Sequence, residues 1–107
     1  MRTRSKATAV IALTLIAGGA QAQSADSSAR YGRYLAANCA NCHGTNGNAQ
    51  GTLPSIAGQP KTYIVERMTE FREGKRSATI MHQLAKGYTD QQIELIADHF
   101  SRQARAR

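Results

Sequence analysis

Two thiols and an imidazole within five residues constrain this chain more than any other feature. Cys39-Ala40-Asn41-Cys42-His43 places its two sulfurs three positions apart. On a helical turn both lie on the same side, and the imidazole follows directly behind the second. The sequence of 107 residues has no other cysteine, which excludes a multi-bridge disulfide framework and a four-cysteine zinc site. C-x-x-C-H is the attachment signal for c-type haem. Each thiol can add to one of the two vinyl groups of a single macrocycle, and the histidine is carried beneath the ring to bind its iron. Three other uses compete. A thioredoxin-like couple prefers a βαβ setting, and no alternating strand pattern is present. Half a zinc site would need a second Cys/His pair at ligand spacing, whereas His82 and His99 are isolated. A lone disulfide is the third.

The rest of the chain favours haem. Arg2, Arg4 and Lys6 open the sequence, an uncharged and mostly apolar run follows from Ala7 to Ala20, and Ala20-Gln21-Ala22 supplies the A-x-A pattern of a signal-peptidase site. Residues 1–22 read as an export leader, with the run too short for the roughly 20 apolar residues of a bilayer span. An uncleaved anchor is the competing reading. Cleavage after Ala22 leaves residues 23–107 as one small domain working in the periplasm. A domain of that size usually needs a disulfide set, a metal or a cofactor to complete its core.

The pattern along residues 23–107 is helical throughout. Ser28 is placed to cap a helix from Ala29 to about Ala40, whose stripe is Tyr31, Leu35, Cys39 and Cys42. Gly32 inside it costs about 1 kcal/mol relative to Ala unless a second helix crosses there. Gly44 to Gly58 has no periodicity and concentrates Gly, Asn and Pro, so it is a long loop of the kind that wraps a ligand. Pro60 suits the start of a second helix, with Tyr63, Ile64, Met68 and Phe71 as its apolar stripe and Gly74 as its stop. Lys75 to Tyr88 is mixed. Thr89 and Gln92 spell a capping box before Ile93, Ile96, Ala97 and Phe100, the buried face of a last helix. Arg102 to Arg107 is expected to fray. The fold class is all-α: three main helices and long loops around one haem.

An electron-transfer haem needs a ligand on its second face, commonly a methionine thioether. Met68 shares a helical stripe with Ile64 and Phe71 and reads as core filler. Met81, in the irregular stretch, is free to reach the iron and is the preferred ligand. His82 beside it is the rival. Six basic residues, Lys61, Arg67, Arg72, Lys75, Arg76 and Lys86, form a candidate docking rim for an acidic redox partner. Interleaved Glu66, Glu70 and Glu73 suit an ordinary solvated face equally well. The formal charge of +7 does not signal nucleic-acid binding, because no basic helix is interleaved with aromatic residues.

C-A-N-C-H-G-T-N-G-N, L-P-S-I-A-G-Q-P and T-I-M-H-Q-L-A-K-G-Y-T-D together resemble the class I c-type cytochromes across residues 29–103. They look like the subgroup of cytochrome c4-like domains, and the last segment is most similar to the haem subunits of flavocytochrome c sulfide dehydrogenases. The resemblance implies covalent haem c on Cys39 and Cys42, with His43 and Met81 as axial ligands. It matches Pro54 to the family's loop proline, whose carbonyl accepts the other N–H of the histidine. It implies that the first and last helices cross, giving Gly32 and Phe100 a shared purpose. It also implies a flavoprotein (FAD) partner that oxidises sulfide and passes on single electrons. Some haem subunits of that enzyme, and the c4 cytochromes, carry two haem domains in tandem, and this sequence has one. A free monohaem carrier, or a ligand-binding haem with an open iron position, are the alternatives.

Overall fold

The computed structural model describes residues 19–107. The first 18 residues of the expected leader, 1–22, lie outside the described residues. Five α-helices follow in order: α1 (Gly19–Ala36), α2 (Ala40–His43), α3 (Lys61–Arg72), α4 (Met81–Leu84) and α5 (Asp90–Ser101). Single 3₁₀ turns sit at Thr45–Gly47 and Ala85–Gly87. Among the described residues there is no strand, and no helix is long and apolar enough to cross a membrane.

The first helix differs from its expected span at both ends. It runs through Ser28, which therefore caps nothing. Ser27 instead turns its hydroxyl back onto the carbonyl of Ser24 at 2.8 Å, and Asp26 pairs with Arg30 one turn on. At the far end α1 stops at Ala36. The chain turns through Ala37–Cys39, with the Cys39 N–H donating to Ala36 O at 3.0 Å. The stripe is therefore split: Tyr31 and Leu35 lie on α1, Cys39 in the turn and Cys42 on the separate short helix α2. Asn38 in the turn is a residue type that favours such breaks.

α5 forms the centre of the molecule. Its expected face is the most buried part of the chain, with Ile93, Ile96, Ala97 and Phe100 each 2% exposed or less. Its capping box is complete: the Gln92 N–H donates to Thr89 Oγ1 at 3.2 Å, and the Thr89 N–H donates to Gln92 Oε1 at 3.0 Å. Leu35 and Ala36 of α1, Ile64 and Met68 of α3, and Ala85 complete the core around it. Met68 is 6% exposed, in keeping with a filler role. α1 crosses α5 at Gly32, where an added Cβ would lie 2.7 Å from the Leu95 carbonyl oxygen. The partner of Gly32 is thus Leu95. Phe100 faces Gly47, whose φ of +81° and 2.8 Å clearance to the Phe100 ring leave no room for a side chain.

The loop after α2 closes at its neck. The N–H groups of Ile56 and Ala57 both donate to Gly47 O, at 2.8 and 3.0 Å, and the Gly58 N–H donates to Phe100 O at 2.9 Å. The segment after α5 does not fray as expected. Asn48 and Arg105 tie it across this loop, long-range contacts with no local sequence signature.

Candidate haem-binding site

α2 is a single turn, and together with its N-cap residue Cys39 it holds both thiols and the imidazole in order. The His43 N–H donates to Cys39 O at 2.9 Å and the Cys42 N–H to the same carbonyl at 3.2 Å. Cys39 and Cys42 are free thiols. Cys39 is half-buried against the core and Cys42 is exposed. Burial pushes the Cys39 thiol above its ordinary range, and the Cys42 charge adds to the rise, while a backbone hydrogen bond opposes it. Cys39 is therefore a neutral thiol at neutral pH.

His43 is oriented from the opposite side of the loop. Its Nδ1 lies 2.7 Å from the carbonyl oxygen of Pro54. A carbonyl only accepts, so Nδ1 carries the proton, and the Nε2 lone pair is left for a metal.

Met81 opens α4 after an irregular stretch. The carbonyl of Ile80 accepts from the N–H groups of Gln83 and Leu84 at 2.9 and 3.1 Å, which fixes the backbone at this residue. Met81 is half-buried and touches the edge of the core, as Cys39 does. His82 is half-buried too, and its Nδ1 is enclosed with no hydrogen-bond partner. Leu53, Ile80 and Leu84 are each about half exposed, next to Pro54 and Met81 in the chain. Sequence reasoning did not pick them out, although large apolar residues in aperiodic segments were the available signal.

Five of the six candidate docking residues are engaged in ion pairs. Lys61 meets Glu94, Arg67 meets Glu66 and Glu70, Arg72 meets Asp90, Lys75 meets Glu73, and Arg76 meets Glu70. Arg67 also lies over the Tyr63 ring at 5.1 Å. Lys86, the sixth, is exposed on the turn after α4. Among the described residues no three His, Cys, Asp or Glu gather as a metal-ion cluster.

A family model described as cytochrome c matches residues 29–102. The chain belongs to the cytochrome c family. Members carry covalently attached haem c, and the donor set here fits that group: two free thiols one helical turn apart, an imidazole with one nitrogen occupied and the other available, and the half-exposed Leu53 lining the same cavity as Cys42. The cytochrome subunit of sulfide dehydrogenase from Chlorobaculum tepidum is 45% identical over 69 residues, covering 64% of this chain and 63% of that protein. Cytochrome c4 of Pseudomonas aeruginosa is 33% identical over 95 residues, covering 88% of this chain and 47% of that one. The solved cytochrome c4 of Acidithiobacillus ferrooxidans superposes with a TM-score of 0.65 at 32% identity, over 70% of this chain and 49% of its own. This chain thus spans about half to two thirds of the length of these relatives. The architecture is the class I cytochrome c fold, and the family's chemistry is haem-based electron transfer.

Proposed function

We propose that this cytochrome c domain transfers single electrons through one haem c that Cys39 and Cys42 would hold covalently, with His43 and Met81 as the residues that would bind its iron. When bound, the haem supplies a ferric/ferrous couple, and no substrate bond is made or broken. The protein's own residues set the conditions. His43, donating Nδ1–H to Pro54 at 2.7 Å, keeps a fixed tautomer and ring plane and becomes a more basic ligand. Met81 supplies a soft sulfur, which favours the reduced iron more than a second imidazole would. Leu53, Ile80 and Leu84 offer apolar surface that would exclude water from the macrocycle.

The observation that carries this reading is the His43–Pro54 contact together with Met81 on the core edge. Its test is the weak red absorption of the ferric protein that arises from sulfur-to-iron charge transfer. The band is expected in the unaltered protein and in His82→Ala, and is expected to vanish in Met81→Ala. Persistence of the band in Met81→Ala, or rapid and complete carbon monoxide binding by the unaltered ferrous protein, would overturn the ligand assignment.

Export by residues 1–22 to the periplasm is part of the same proposal, as is service to a flavoprotein (FAD) that oxidises sulfide. The similarity to the Chlorobaculum tepidum cytochrome subunit of sulfide dehydrogenase supports a sulfide dehydrogenase as the partner. Docking at the basic rim is secondary, because ion pairing leaves the face mixed in charge, so electrostatic steering is modest. Co-purification of a flavin-containing protein with the native cytochrome tests the partnership. Recovery of the cytochrome alone favours a free carrier.

A further inference from the structure

The segment after α5 makes a set of contacts that neither the core nor the haem motif explains. Asn48, on the outgoing limb of the loop, grips it with both ends of its side-chain amide: Nδ2 donates to Ala104 O at 2.9 Å and Oδ1 accepts from the Ala106 N–H at 2.8 Å. The residue between these two, Arg105, reaches the returning limb. Its Nε donates to Ala57 O at 3.3 Å, and one terminal nitrogen donates to Gly58 O at 3.2 Å and to Gln59 Oε1 at 3.3 Å. One residue and its flanking peptides therefore link both limbs of the loop at its neck. Pro54, which holds His43, lies between those limbs. The Arg105 side chain also lies close against Gly58, whose added Cβ would come within 3.0 Å of Arg105 Cγ.

We infer that Asn48 and Arg105 are positioning residues: they strap residues 104–106 across the loop and so hold the Pro54 carbonyl on His43. Two of these hydrogen bonds are neutral and three are donated by the charged Arg105 guanidinium, so the strap as a whole is strong enough to govern opening of the neck. A loosened neck weakens the Nδ1–H···O contact, makes the imidazole less basic and stabilises ferric iron less. This second consequence rests on His43 being the iron ligand, whereas the first, neck opening, does not.

The test compares Asn48→Ala, Arg105→Ala and Arg105→Lys with Arg102→Ala in the haem-loaded protein. Arg102 lies in the same segment but pairs with Asp98 of α5. Hydrogen exchange of residues 48–58 is expected to quicken about tenfold in the two main alanine variants, with α3 and α5 unchanged. It should quicken less in Arg105→Lys and not at all in Arg102→Ala. The ferric/ferrous equilibrium in the same two alanine variants is expected to move toward ferrous by about threefold. Unchanged exchange over residues 48–58, or equal quickening across all helices, would overturn the strap. Faster loop exchange with an unmoved equilibrium would overturn its link to His43. Loss of the His43 assignment itself would appear separately, in the ligand spectrum of the unaltered protein.

Discussion

A histidine that donates one nitrogen to a carbonyl is a different chemical object from a histidine in water, and His43 and His99 show the two ways this chain tunes an imidazole. His43 is oriented by Pro54 at 2.7 Å. His99, edge-on to Phe100 at a centroid distance of 5.1 Å, is tuned by its surroundings. Burial and then Arg33 lower its pKa from the ordinary 6.5, with Asp98 partly opposing. The folded state thus binds this proton less readily than the unfolded one. Stability is complete above about pH 6.5 and is lost as the pH falls through that value toward the lower folded one. The midpoint of thermal unfolding should therefore drop between pH 7 and pH 5, and His99→Gln should flatten that drop. An equal slope in the variant would assign the pH dependence to other groups. At this scale the sequence offered clear candidates: C-x-x-C-H points to the thiols and imidazole proposed to hold the haem, and Met81 stood out because Met68 shared a helical stripe with Ile64. The Asn48 grip on Ala104 and Ala106 was not readable, since an asparagine in a loop carries no mark of a partner 56 residues away.

At the scale of elements, the chain works by crossing helices closely and ending them sharply. α1 meets α5 at Gly32, and backbone stands in the way of any Cβ there. Gly32→Ala should gain about 1 kcal/mol of intrinsic helix preference but lose about 1–3 kcal/mol to overpacking. A net loss of stability in denaturant titration is expected, and a gain would show that the crossing can relax. Thr89→Ala should cost about 1 kcal/mol by removing one half of the capping box, read in the same titration. α5 was legible because its cap and its stripe agree. α1 was not, because a serine near a helix start can either cap it or turn its hydroxyl back onto the preceding turn, as Ser27 does. The local pattern is the same for both. The split between α1 and α2 was hidden likewise: Tyr31, Leu35, Cys39 and Cys42 keep helical spacing, although the turn at 37–39 interrupts the helix.

For the whole molecule, the arrangement makes sense as a helical frame built around something it does not itself supply. Among the described residues the buried core cluster is small, nine residues centred on α5, while Tyr63, Leu53, Ile80 and Leu84 remain about half exposed. Cys39 and Met81 both sit at the edge of that core, where a macrocycle bound to them would extend the apolar interior. Each apolar side chain so covered contributes on the order of 1–3 kcal/mol, enough to decide whether a domain of this size is stable. A covalent adduct at Cys39 and Cys42 is what such a frame requires. Its most direct test is the intact mass of the protein, produced with haem-attachment machinery and measured under denaturing conditions. The expected mass is that of the polypeptide plus one haem, with the addition lost when Cys39 and Cys42 are both changed to Ser. A mass equal to the bare polypeptide, or a haem released by denaturation alone, would contradict it.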